Sequence, residues 1–316
     1  MLASLGIDET SVAAEIRSSM DVVVVGHTPD GMPLYLDEYA ASADLIFPVN
    51  RIKPHTCFKG PIESGCTKMA VVGFGKQPGA AQIHACGPER MRDRLLAGIA
   101  TLRDSGRLLG GLASIESAGE AVAEVHALTG DQVGGEREVE LSRRALELLP
   151  RLPFDEIDVL VVERGGKDIS GTTIDPNVTG RFWVNGLDDL DRPRVGAIVL
   201  LDISDISAGN VLGIGFADFI PAATAAKIDW AKTYINGMTA GAAGLRRTRV
   251  PMVLPDDDDC TKAALLMCGR SLDEPKRVVR IRSTKELTTC AVSRAALDDL
   301  GDRVTTTSTG FAIATS

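Results

Sequence analysis

The chain alternates short, mostly apolar runs with longer stretches in which apolar residues return every three or four positions. Runs of the first kind predict strands at Asp21–Val25 (DVVVV), Ala43–Val49, Ile157–Val162, Val195–Leu201, Val250–Leu254 and Val278–Ile281. An unbroken apolar run is what a parallel strand covered on both faces requires. The second pattern predicts helices over Arg90–Leu108, Glu136–Leu149, Ala222–Met238 and Asp256–Cys268. Met69–Val72 is too short for its period to separate a strand from a helix end. His126 sits in AVAEVHAL, a pattern read as helix packing. Pro150 and Pro153 break the rhythm, and the strand after them runs into a Gly165-Gly166 turn. The expectation is an α/β protein of two domains, 1–150 and 151–316, with mainly parallel, Rossmann-like sheets and a cleft between them.

Length and composition narrow the function. A chain of 316 residues can bury two cores, and with aromatics at 4% those cores must be aliphatic. The net charge of −9 argues against a nucleic-acid partner, which normally needs a basic face. The N-terminus has no signal-peptide pattern and no apolar run approaches a bilayer span, so a cytoplasmic protein with no membrane partner is expected. Six cysteines without CxxC spacing suggest neither a zinc site nor a disulfide framework.

Chemistry concentrates in Asn50–Gly87, NRIKPHTCFKGPIESGCTKMAVVGFGKQPGAAQIHACG, which holds two of the four histidines and half of the six cysteines. Lys68 lies 13 residues after His55, and His84 a further 16. Imidazole ligates nickel or zinc and also moves protons near neutral pH. A lysine amine either anchors a cofactor covalently or neutralises a phosphate. Glycines at 65, 73, 75 and 79 let backbone approach a bulky ligand. The combination fits an anionic cofactor with a metal.

These residues carry a family resemblance. Asn50–Thr56 (NRIKPHT), Glu63-Ser64-Gly65, Lys68-Met69, Gly73–Lys76 and His84 resemble the lactate-racemase-like family of nickel-pincer-nucleotide proteins. A second block, Gly166–Gly171 (GKDISG) with Asp175–Arg181 (DPNVTGR), is similar to one branch of it. The resemblance implies His84 as the protein ligand to nickel and Lys68 as the covalent anchor of the pincer nucleotide. It also implies His55 as a catalytic acid/base and Ser64, Gly65 and Lys76 as cofactor contacts. The implied reaction is racemisation or epimerisation of a 2-hydroxy acid through a 2-oxo acid, with hydride held on the cofactor. Cofactor-synthesis enzymes are then partners, besides the small-molecule 2-hydroxy acid.

The chain departs from the family in places. Cys57 stands where relatives have an acidic residue; it is either a soft ligand or an ordinary thiol. Relatives carry a Ser-His-Gly-Gly stretch upstream of the position matching Leu5, so the chain reads as N-terminally truncated and lacking a second base. His27 is a candidate replacement. In the second block Lys167, Asp168 and Arg181 are candidate substrate contacts, since Arg grips a carboxylate bidentately. Thr173 and Pro176 occupy the offsets of a substrate-facing Gln and Lys in lactate racemases, which favours an acid other than lactate, such as a dicarboxylate. Two other readings stay open: a catalytically silent cofactor-binding homologue, and an enzyme that uses Lys68 as a Schiff base. Asp256–Asp259 reads as an acidic helix start.

Overall fold

The computed structural model describes residues 6–117 and 121–300. The expected N-terminal truncation concerns positions outside the described residues. Before residue 150 the chain builds two small sheets. Strands β1 (Val22–His27) and β2 (Pro33–Asp37) form an antiparallel pair. Strand β3 (Val49–Ile52) runs parallel to β4 (Gly110–Glu116), which pairs antiparallel with β5 (Val122–Thr129). Beyond residue 150, β6 (Glu156–Gly165), β7 (Arg194–Ile203), β8 (Phe219–Pro221), β9 (Met252–Leu254), β10 (Val278–Ile281) and β11 (Ala291–Val292) form one sheet. Its order is β11-β10-β6-β7-β8-β9, parallel throughout except at the β10–β11 edge. The fold is α/β.

The central strands show why their sequences are continuously apolar. Along β6, Leu160 and Val162 enter one buried cluster with Ile198 and Leu200 of β7. Val159 and Val161 enter a second cluster with Ala197 and Val199, on the opposite face. Side chains of a strand alternate between faces, so two covered faces demand an apolar residue at every position. The second face is covered by the helix Asp257–Met267 through Cys260 and Ala264. That helix starts at Asp256, whose carboxylate accepts from Asp259 N at 2.9 Å, so the acidic run is a cap. A third cluster fills the N-terminal half and also takes in Val184 and Ala243 from the second half of the chain.

The N-terminal elements differ more from expectation. DVVVV forms β1, but the adjacent Val23 and Val24, on opposite faces, are 44% and 47% exposed, so this two-stranded pair is open on both faces there. The strand expected over Ala43–Val49 begins only at Val49; Pro48 has no N–H to give a ladder, and Ile46 makes a single bridge to Leu108. The helix expected over Ala222–Met238 is two, Ala222–Ala226 and Trp230–Thr239. Asp229 separates them, capping the second through Lys232 N at 3.0 Å while its own N–H reaches Gly209 O. His126 lies on β5, not a helix, with Nε2 2.9 Å from Glu124 Oε2.

Parallel strands end together, and loops at their carboxyl ends form a crevice where the strand order reverses. Here β6 connects onward to β7 on one side, and β10 closes on the other. The loops after β6 and β10 supply Lys167–Thr172 and Thr284-Lys285 to one wall of a cleft. The loop after β3 supplies Lys53–Cys57 to the other.

Candidate active site

The cleft measures about 600 Å³ and gathers His55, Lys68, His84, Ser64, Lys167 and Asp168. A larger cavity lies behind the Ile52–Pro54 wall, but none of His55, Lys68 and His84 reaches it.

The loop carrying His55 is fastened at its base. Glu63 accepts the His55 N–H at 2.7 Å and the Gly60 N–H at 3.0 Å. Ser64 Oγ accepts the Lys53 N–H at 2.7 Å. The next turn, Gly65–Lys68, is pinned from below by buried Glu138, which accepts from Thr67 N at 3.0 Å, Thr67 Oγ1 at 2.6 Å and Gly134 N at 2.8 Å. Gly65 has a φ of +78°, and a Cβ there would stand 2.5 Å from Glu138 Oε1. Its glycine is therefore required by packing, and Gly65 itself does not line the cleft.

After Lys68 the helix widens. Phe74 N–H donates to Met69 O at 2.8 Å, five residues back, so Met69–Gly73 is a π-helical turn before the helix Lys76–His84. Such widened turns frequently mark functional sites. This turn and the following helix bring His84 back to face His55, with ring centroids 6.4 Å apart.

The second motif meets the first. Asp175 Oδ2 lies 2.7 Å from Lys53 Nζ. Asn177 Oδ1 accepts from Lys59 Nζ at 2.8 Å, and Asn177 Nδ2 donates to Pro54 O and His55 O at 3.4 Å each. DPNVTGR thus braces the loop that carries His55 from the other half of the chain.

Burial dominates the electrostatics. His55 is pushed well below the ordinary 6.5, first by burial, then by the charges of Lys68, His84, Arg247 and Lys59. His84 is pushed down to about 4, again by burial first. Lys68 is lowered by burial, partly opposed by Cys57 and Glu63. Burial brings Lys167 down to about 8, its Nζ donating to Gly171 O at 2.6 Å. For Asp168 burial pushes upward, but bonds from Ser204 and Arg164 outweigh it and keep the carboxyl below its ordinary value. Cys57 Sγ lies 3.1 Å from His55 Nδ1, and burial raises its thiol.

Neutral buried imidazoles make stability depend on pH. Folded His55 and His84 titrate below 6.5, so on acidification the unfolded chain takes up their protons first. Stability should therefore fall as pH drops from about 6.5 towards 4, by roughly 3 kcal/mol for His84 alone. Urea unfolding of the cofactor-free protein across that range checks this, and His84→Gln should flatten the slope.

Other expected contacts lie elsewhere. Lys76 does not line the cleft; its Nζ is 3.3 Å from Asp37 Oδ2. Arg181 is buried with both terminal nitrogens engaged, donating to Asp218 Oδ2 at 2.7 Å and to the carbonyls of Phe216, Val195 and Gly196. It ties the Gly180 turn to the sheet and has no edge left for a substrate. His27 is exposed at the end of β1, outside the cleft. Thr173 turns inward to Leu212 O at 3.0 Å. A residue not anticipated, Arg247, reaches the cleft from the short helix Gly244–Arg247. Its signal in the sequence is faint, since Arg246-Arg247 reads as a solvated pair.

Among the described residues no group of three or more His, Cys, Asp or Glu could hold a metal ion. Nor is any described helix long and apolar enough to cross a membrane. His84 Nδ1 is buried without a hydrogen-bond partner. The protein alone therefore offers a metal one neutral imidazole, not a cage.

No family model matches the chain, and no curated protein matches it. Among solved structures, the lactate racemase apoprotein from Thermoanaerobacterium thermosaccharolyticum is similar at a TM-score of 0.49 and 14% identity, over 85% of this chain and 68% of that one. A likeness that slight leaves the site to be argued from its own residues.

Proposed function

We propose that the chain is a nickel-pincer-nucleotide-dependent racemase or epimerase of a 2-hydroxy acid. The observation that carries this reading is the meeting, in one cleft, of a buried lysine amine, without an ion-pair partner among the described residues, with two imidazoles held neutral by burial. A metal whose other ligands come from an organic group fits such a site, because it needs a single protein nitrogen. Lys68 would hold that group covalently and His84 would ligate its metal. When bound, it supplies a hydride acceptor for the substrate C2 hydrogen.

The chain's own residues handle protons and charge. His55 Nδ1 receives the Cys57 N–H at 3.1 Å, which leaves the imidazole proton on Nε2. With the ring proton moved to Nδ1, Nε2 takes the substrate hydroxyl proton as the carbonyl forms, and the resulting imidazolium returns it to the oxygen as the hydroxyl re-forms. Lys167 stands on the facing wall for a carboxylate. Such an enzyme depends on cofactor-synthesis enzymes and belongs with them in the cytoplasm. Residues 1–150 would be its cofactor domain and 151–316 its second domain.

His84→Ala tests the metal bond. Protein made alongside the cofactor-synthesis enzymes should lose nickel, measured by elemental analysis, and keep the mass added at Lys68. Unchanged nickel would move the ligand role to another residue, Cys57 first.

A further inference from the structure

Arg247 is 1% exposed, and none of its bonds goes to a carboxylate. Nε and Nη2 donate to Phe182 O at 3.2 and 3.0 Å, and Nη2 also donates to Thr56 O. Nη1 has no acceptor among the described residues. The guanidinium carbon sits 5.1 Å from the Phe216 ring centroid. Two neutral carbonyls and a ring satisfy part of the fork but do not neutralise it. A buried cation without a counterion is strongly unfavourable. Burial accordingly brings Arg247 down to about 10, opposed only by the more distant charges of Cys57, Asp175 and Asp189. Arg246, its neighbour in the same turn, is exposed. Only one arginine of the pair is drawn into the cleft, and it holds the carbonyl of the residue that follows His55.

We propose that Arg247 is an anion-binding residue of the cleft, its free Nη1 edge taking a carboxylate or phosphate oxygen of the bound ligand beside His55. Planar guanidinium suits either oxyanion, and a ligand oxygen there supplies the missing counter-charge. The inference rests on the proposed racemase reading for the anion's place in the reaction. Its detection needs neither nickel nor turnover, so the two fail separately.

The test titrates the full chain with a 2-hydroxy acid (lactate, then the dicarboxylate malate) and with inorganic phosphate by calorimetry, both cofactor-free and cofactor-loaded. Arg247→Met should bind the recognised anion about ten- to a hundredfold more weakly, as loss of a charge-assisted bond predicts. Arg246→Met removes the same formal charge from the surface and should bind as the unaltered chain does. Weakened hydroxy-acid binding that persists in the loaded protein assigns Arg247 to the substrate carboxylate. Weakened phosphate binding in the cofactor-free protein alone, with the hydroxy acid unaffected, assigns it to the nucleotide phosphate. Should Arg247→Met not fold, Arg247→Gln keeps a donor for the Phe182 carbonyl without the charge and carries the same comparison. A purely structural Arg247 would lower the melting temperature and leave these affinities unchanged. That result, or an unaltered chain that binds none of these anions, overturns the proposal.

Discussion

Lys68→Ala protein made alongside the cofactor-synthesis enzymes should emerge at the mass of the bare polypeptide. The unaltered chain made the same way should be heavier by a covalent adduct, and intact mass spectrometry separates the two. The contrast should be all or none, because on the proposed reading one amine carries the whole link, and racemase activity should vanish with it. The structure gives the chemical reason. Lys68 has no ion-pair partner among the described residues, and burial lowers its pKa against the weaker pull of Cys57 and Glu63. A larger share of free amine, the reactive form, follows. Lys68→Arg keeps a cation but no acylable amine, so it too should lose the adduct while leaving the charge in place. No added mass on the unaltered chain removes the cofactor assignment. Mass appearing only after borohydride treatment with a carbonyl compound would favour the Schiff-base reading instead.

How legible each part was follows from how many of its neighbours lie nearby in sequence. The six-stranded sheet could be read because Val159–Val162 and Ala197–Leu200 are covered on both faces, and only aliphatic residues satisfy that. In β1 the same apolar run meant something different, since both its faces are open at Val23 and Val24. The helix Gly65–Lys68 and the π-helical turn after it were hidden for another reason. Their geometry depends on Glu138, some seventy residues away, and on an i+5 bond that no period reveals. His55, Lys68 and His84 were visible as a cluster of chemical types in one short stretch. Arg181 misled because an arginine in a Gly-rich block looks available. Its four acceptors come from β7, Phe216 and Asp218, contacts that exist only after folding. Arg247 is the converse, an unremarked charge that the fold carries across to Thr56.

His55→Gln in the cofactor-loaded enzyme should lower kcat by about 10²–10⁴-fold, the usual contribution of a positioned acid/base group. Nickel content and the mass at Lys68 should stay as they are, which separates lost proton transfer from lost cofactor. The pH profile of the unaltered enzyme should be distinctive. His55 is driven well below 6.5 by burial, then by Lys68, His84, Arg247 and Lys59. It therefore stays neutral through the range in which a free histidine titrates, and its acid limb should fall below that range. An acid limb centred near 6.5 would mean that another group, or a solvated His55, controls the rate. Cys57 adjusts the same proton. Its N–H and thiol both face Nδ1, at 3.1 Å each, and favour a lone pair there. Cys57→Asp would place a carboxylate at that nitrogen, draw the ring proton to Nδ1, and stabilise the imidazolium. The acid limb should then move to higher pH, because protonation to the inactive imidazolium begins earlier as pH falls. A profile unmoved by Cys57→Asp would show that the thiol and its backbone N–H do not set the state of His55.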